Sequence, residues 1–169
     1  MSPDENKAKF LRGIEEVWNK HSWADAELNY APDIVVHNPA EPEPLRGRAA
    51  FQQLFQMILT GFPDMHFAVE DVVAEGDRVV ARWTFTGTHK GVYFGIPATG
   101  KAVTSQEIAI FRLVDGKVKE LWPMPDLMTQ MKQLGVIPDG PPPRAMLLLM
   151  AGVQRLGALW PSGRRARRQ

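Results

Sequence analysis

Two runs of β-favouring residues, Val103 to Val114 and Lys117 to Trp122, meet at Asp115-Gly116. That dipeptide commits the chain to a tight hairpin, because both central positions of such a turn favour left-handed backbone. On the second strand Val118, Glu120, Trp122 and Met124 share one face, opposite Lys119 and Leu121. Pro123 and Pro125 have no amide hydrogen and are expected to stop the ladder. Asp126 follows, where a helix carrying Leu127, Met131 and Leu134 begins. Extended parity puts Asp126 on the side of Trp122 and Met124, a candidate catalytic carboxylate beside apolar neighbours. Aspartate is also a preferred helix N-cap, and the residues alone leave both roles open.

The rest of the chain supplies what such a hairpin needs to pack against. Residues 4–21 read as an amphipathic helix on Phe10, Ile14, Val17 and Trp18. A short helix from Ala24 to Tyr30 leads to a strand at Asp33–His37, then to an extended loop with prolines at 39, 42 and 44. A helix over 48–60 buries Phe51, Leu54, Phe55 and Ile58. Strands at 65–74 and 78–89 are joined by Glu75-Gly76-Asp77, and Val103–Val114 is the third long strand. Between the last two lies GVYFGIPATG, whose Tyr93 and Phe94 are placed to overhang a pocket mouth.

Helices, a strand, a helix and then a run of antiparallel strands make an α+β pattern with the helices on one side of one sheet. On one strand Val79, Ala81, Trp83, Phe85 and His89 oppose Arg82, Thr84, Thr86 and Thr88. On the next, Gln106, Ile108, Ile110 and Arg112 oppose Glu107, Ala109, Phe111 and Leu113. Both faces are mixed, as in a sheet curved around a partly polar cavity or one covered by another subunit. Trp83 and Phe85 are read as pocket wall or interface, and His89 as a strand end in solvent. Arg82 and Arg112 are candidate partners for Glu107 or Asp71.

The 169 residues suit one domain with an appendage, at 44% hydrophobic and 23% charged. There is no cysteine, which excludes disulfides, thiolate catalysis and zinc-cysteine sites. No signal-peptide pattern opens the chain, so a cytoplasmic location is the default expectation. Residues 1–138 hold 14 Lys+Arg against 18 Asp+Glu, a net charge of −4, while residues 139–169 carry +5. The main domain therefore makes no case for nucleic acid.

Four segments, YAPDIVVHNP, LRGRAAFQQLFQMILTGFPD, VEDVVAEGDRVVARWTFTGTHKGVYFGIPATGKAV and IAIFRLVDGKVKELWPMPDLMTQMKQLGVIP, together resemble the SnoaL-like polyketide cyclases, or ester cyclases, over residues 8–138. The resemblance implies the NTF2-like fold: a curved antiparallel sheet wrapped on helices around a conical pocket, in a homodimer. It also implies intramolecular aldol closure of a polyketide ester without metal or cofactor. An aspartate would serve as general acid/base, matched here by Asp126 after Trp122. His37 matches the family's pocket histidine after the first strand. Anthracycline-type cyclases carry a further pocket histidine where this chain has Ser105-Gln106-Glu107. Gln106 or Glu107 then keeps the polar contact to substrate, or the substrate differs. Trp122, Met124, Gln106, Trp83, Phe94 and Tyr93 are accordingly the expected substrate-binding set. Two rivals remain: a non-catalytic ligand-binding module, and an epoxide-hydrolase type with an Asp-Arg-Asp set whose spacing does not match here.

Residues 139–169 form a separate segment. A Pro-rich hinge precedes a helix from Arg144 to Trp160 and a basic tail, PSGRRARRQ. The helix is too short and too polar to span a membrane. It packs on its own domain or a dimer mate, or it lies on an anionic membrane surface with Trp160 at the interface.

Overall fold

The helical spacing of Phe10, Ile14, Val17 and Trp18 is realised in the computed structural model of the chain, which describes residues 1–39, 41–138 and 140. Helix α1, Pro3–Gly13, opens on a reciprocal cap in which the Ser2 hydroxyl accepts from the Glu5 amide and the Glu5 carboxylate accepts from the Ser2 amide. The helix widens into a π-helical turn over Ile14–Asn19, burying Ile14, Val17 and Trp18 on the same side. A 3-10 turn at Trp23–Asp25 and the single-turn α2, Ala26–Asn29, deliver the chain to strand β1, Tyr30–Val36. The two-residue β2, Leu45–Arg46, precedes α3, Arg48–Gly61, which buries Phe51 and Phe55. Trp18 meets the rings of Phe51, Phe55 and Phe67 at 6.0, 5.3 and 5.2 Å, tying both helices to the sheet.

Four long strands follow: β3 His66–Glu75, β4 Arg78–Thr88, β5 Ala102–Val114 and β6 Lys117–Pro125. Among the described residues the sheet has six strands in the order β2-β1-β6-β5-β4-β3. It is a curved, open α+β arrangement, and one pairing departs from the antiparallel expectation: β1 runs parallel to β6. The turn after β5 has φ of 50° at Asp115 and 72° at Gly116, the backbone the dipeptide was expected to take. Helix α4, Leu127–Leu134, completes the described fold. The expected helix at 144–160 and the basic tail lie outside the described residues. None of the described helices is long and apolar enough to cross a membrane.

Strand β6 corrects two expectations. Its pairing with β5 steps from Leu113↔Val118 to Arg112↔Glu120, so Lys119 is an extra residue and the parity shifts there. Val118 and Leu121 consequently both face the core, while Glu120, Trp122 and Met124 lie on the opposite, convex face. The strand also runs through both prolines, with Ala109↔Pro123 and Glu107↔Pro125 paired. Pairing with β1 ends at Leu121, so the prolines sit where β6 has become an edge and needs fewer donors.

Candidate active site

The concave face of the sheet carries every second residue of β4 and β5: Val79, Ala81, Trp83 and Phe85, then Val103, Ser105, Glu107, Ala109, Phe111 and Leu113, all buried. With Leu54 and Ile58 of α3 and Leu127 and Gln130 of α4, this face encloses a cavity whose empty volume, counted out to its open mouth, is about 830 Å³. The walls are overwhelmingly apolar, and among the described residues no Lys, Arg or His lines them.

Among the described residues one ionisable carboxyl, Glu107, enters this cavity. Glu107 is 9% exposed and three side chains converge on it. The Trp83 indole donates to Oε2 at 3.0 Å, the Gln130 amide nitrogen donates to Oε1 at 3.0 Å, and the Ser105 hydroxyl lies 3.4 Å from Oε1. Gln130 also donates to the Ser105 hydroxyl at 3.0 Å and accepts from the Tyr93 hydroxyl at 3.0 Å. Burial pushes the Glu107 carboxyl up to about 7, and the charge of Asp126 adds to the rise. The three hydrogen bonds favour the ionised form and oppose that shift. The result is a carboxyl poised between protonation states near neutral pH, the condition for exchanging protons with a substrate.

The family of the chain follows from comparison with known proteins. The family model described as SnoaL-like polyketide cyclase matches residues 8–134. The chain belongs to the SnoaL-like polyketide cyclase family. It is 32% identical over 122 residues to the aklanonic acid methyl ester cyclase DauD of Streptomyces sp. strain C5, covering 67% of this chain and 73% of that one. It is 31% identical over 131 residues to the aklanonic acid methyl ester cyclase DnrD of Streptomyces peucetius, covering 74% and 88%. The crystal structure of AclR from Streptomyces galilaeus, assigned as a hydroxylase, superposes with a TM-score of 0.72 at 31% identity, covering 94% of this chain and 96% of that one. The fold is therefore the NTF2-like one that the resemblance implied.

Within this SnoaL-like frame the expected site residues separate into two groups. Trp83, Tyr93 and Phe94 line the cavity. Phe94 stands at the mouth, 37% exposed, while Tyr93 is buried with its ring 4.9 Å from that of Phe62. Trp122, Met124 and Gln106 do not line it; they occupy the convex face, Met124 at 62% exposure. His37 is also on that side: its ring stacks on Trp122 at 4.9 Å, with Nε2 3.8 Å from a Glu120 oxygen. Asp126 is exposed and accepts from the Thr129 amide at 2.9 Å, capping α4. The bonds to Thr129 hold its carboxyl below the usual range, and it is not among the cavity residues. The parity that joined Asp126 to Trp122 and Met124 holds, but the bulge at Lys119 turns that whole side outward.

Glu107 was visible in the sequence only as one of two candidates on its strand. The face shared with Ser105, Ala109 and Phe111 is the signal that separates it from Gln106. His89, expected in solvent, is fully buried: its Nδ1 accepts from the Thr99 amide at 3.2 Å and lies 3.1 Å from the Thr99 hydroxyl. Arg82 pairs with Asp71 and Glu70, and Arg112 with Glu120 and Asp77, all away from the cavity. Among the described residues no cluster of three or more His, Cys, Asp or Glu could hold a metal ion.

Burying Glu107 links folding to pH. Its folded value, about 7, lies above the ordinary glutamate value of 4.5. The contribution to stability is therefore fully present below about 4.5 and is lost as pH rises through about 7. Glu107→Gln removes this dependence. Compared by urea unfolding, the variant should gain on the parent between pH 4 and pH 8 by an amount on the order of 3 kcal/mol. A gap that stays constant across that window would show that the carboxyl is not perturbed.

Proposed function

We propose that the chain is a polyketide-cyclase-type enzyme in which Glu107 carries out cofactor-free general acid/base chemistry on a neutral, hydrophobic small molecule. The observation that supports this most directly is the placement of that carboxyl, buried among apolar walls beside three hydrogen-bonding partners. In its ionised form Glu107 takes a proton from a substrate carbon flanked by two carbonyls. The enolate attacks a carbonyl of the same molecule and forms the new carbon–carbon bond. The alkoxide so produced recovers the proton from Glu107, leaving enzyme and atom count unchanged. An extended aromatic substrate delocalises the enolate and lowers what the protein must supply.

The cavity also constrains charge. Among the described residues its walls hold a carboxyl and no cation, so an anionic substrate would meet repulsion and desolvation without a counter-ion from them. A masked, ester form of a polyketide acid fits this balance, and the relatives DauD and DnrD are named for a methyl ester.

The convex face supports a homodimer. Val80, Ile110 and Trp122 form one cross-strand row, and Ile108 pairs with Met124 in the next. Ile108 and Met124 are 47% and 62% exposed, a continuous apolar strip that a second copy of the chain would cover.

Three measurements test these assignments. Glu107→Gln should lower turnover of a polyketide ester about 100-fold or more, and kcat/KM of the parent should rise with pH and level off above about 7. Asp126→Asn should stay within about threefold of the parent, since a cap contributes to stability rather than to proton transfer. Full activity in the Gln variant, or its loss in the Asn variant, would return the role to Asp126. An ester should bind at least about tenfold more tightly than its free acid by calorimetry, and equal affinities would refute the charge argument. Ile108→Glu should convert a dimer to a monomer in sedimentation, and an unchanged mass would move the interface elsewhere.

A further inference from the structure

The loop after β4 reaches the cavity carboxyl through two hydrogen bonds. It is seated on the end of α3: the amides of Lys90 and Gly91 both donate to the Gly61 carbonyl, at 2.8 and 3.3 Å. The contact is as close as glycine permits. A Cβ on Gly91 would lie 2.1 Å from the Thr60 carbonyl oxygen, and one on Gly61 would lie 2.9 Å from the Tyr93 Cβ. A pair of backbone hydrogen bonds between Tyr93 and Ile96, at 3.1 and 2.9 Å, closes the loop tip. Tyr93 is thus placed by backbone, and its hydroxyl points at Gln130.

Gln130, 2% exposed, is the link. Its oxygen accepts from the Tyr93 hydroxyl, and its nitrogen donates to Ser105 and to Glu107. Turned over, the amide would set its oxygen against Oε1 of Glu107 and its nitrogen against Tyr93. The phenol would then aim its proton at an NH2 group and lose its acceptor. Tyr93 is kept protonated, since burial and the nearby Glu107 charge both push it above the usual tyrosine value. A buried O–H without an acceptor is costly, so the hydroxyl selects one amide orientation.

We propose that Tyr93 is a positioning residue, holding the Gln130 amide with its nitrogen on Glu107 and thereby tying the seated loop to the carboxylate. The inference rests on the reading of Glu107 as the proton-transfer group. The polar neighbours of Glu107 are Trp83 from β4, Ser105 from its own strand and Gln130 from α4, and Tyr93 from the loop acts on it through Gln130. Asp126 acts on it through space, and no described lining residue is cationic. With the hydroxyl removed, the amide is free to turn its oxygen toward the carboxyl. That orientation favours the protonated acid, which can donate to it.

The test is a carboxyl titration of the full chain by 13C NMR with labelled glutamate, Glu107→Gln identifying the signal. In Tyr93→Phe the Glu107 midpoint should rise by about one unit, the scale of a hydrogen bond to a charged group. The rising limb of the kcat/KM profile should move with it. In a Gln130→Met background the added Tyr93→Phe change should produce no further shift. An unmoved midpoint in Tyr93→Phe, or the same shift with and without Gln130, would overturn the proposal. The single variant decides on its own if the double variant does not fold. If the midpoint moves while the rate profile stays, the coupling stands and the acid/base reading of Glu107 fails.

Discussion

The hydrogen bonds that converge on Glu107 are the constraint the site depends on. A carboxyl transferred to an apolar interior unpaired would cost many kcal/mol in its charged form and would simply stay protonated. Here the indole of Trp83, the amide of Gln130 and the nearby hydroxyl of Ser105 offset part of that cost. The carboxyl is left near balance rather than at either extreme. Each partner comes from a different part of the fold: Trp83 from β4, Ser105 from β5 and Gln130 from α4. The site is therefore as sensitive to the docking of α4 as to the strand that bears Glu107. Its electrostatics belong to the assembled domain and to no local motif.

The sheet divides the chain's chemistry between two faces. The concave side collects aromatic walls and the Glu107 carboxyl. The convex side collects ion pairs and exposed apolar residues. Arg78 lies 5.7 Å from the centroid of the Trp122 ring, which on its other contact stacks with His37. Such a layered arrangement suits a surface that meets another surface. The cavity with its buried carboxyl and the face with its exposed apolar residues lie on opposite sides of one layer, which lets each vary without disturbing the other.

Much of the architecture could be read from the residues because it rests on local periodicity and turn chemistry. The Asp115-Gly116 hairpin, the helix around Phe51 and Phe55 and the alternation of β4 all appear where the pattern placed them. The family resemblance supplied the cavity. What the residues did not show was which face of β6 lines it, since a single extra residue at Lys119 reverses the parity and leaves no mark in composition. The same slip explains why Asp126, Trp122 and Met124 travel together to the outside. Glu107 was harder to separate from Gln106 because both faces of β5 alternate polar with apolar. Only the packing of Ser105, Ala109 and Phe111 against the helices distinguishes them. His89 illustrates the converse, a polar residue at a strand end that the seated loop closes over.

The most direct measurement is a crystal structure with a neutral aromatic polyketide ester, or an unreactive analogue, bound. The expected result places the ligand among Trp83, Phe94 and the β5 strand, with its acidic carbon or adjoining carbonyl within about 2.6–3.2 Å of a Glu107 oxygen. Asp126 would still cap α4. A ligand whose reacting carbon lies against Asp126, or one seated on the convex face, would contradict the assignment of the chemistry to Glu107.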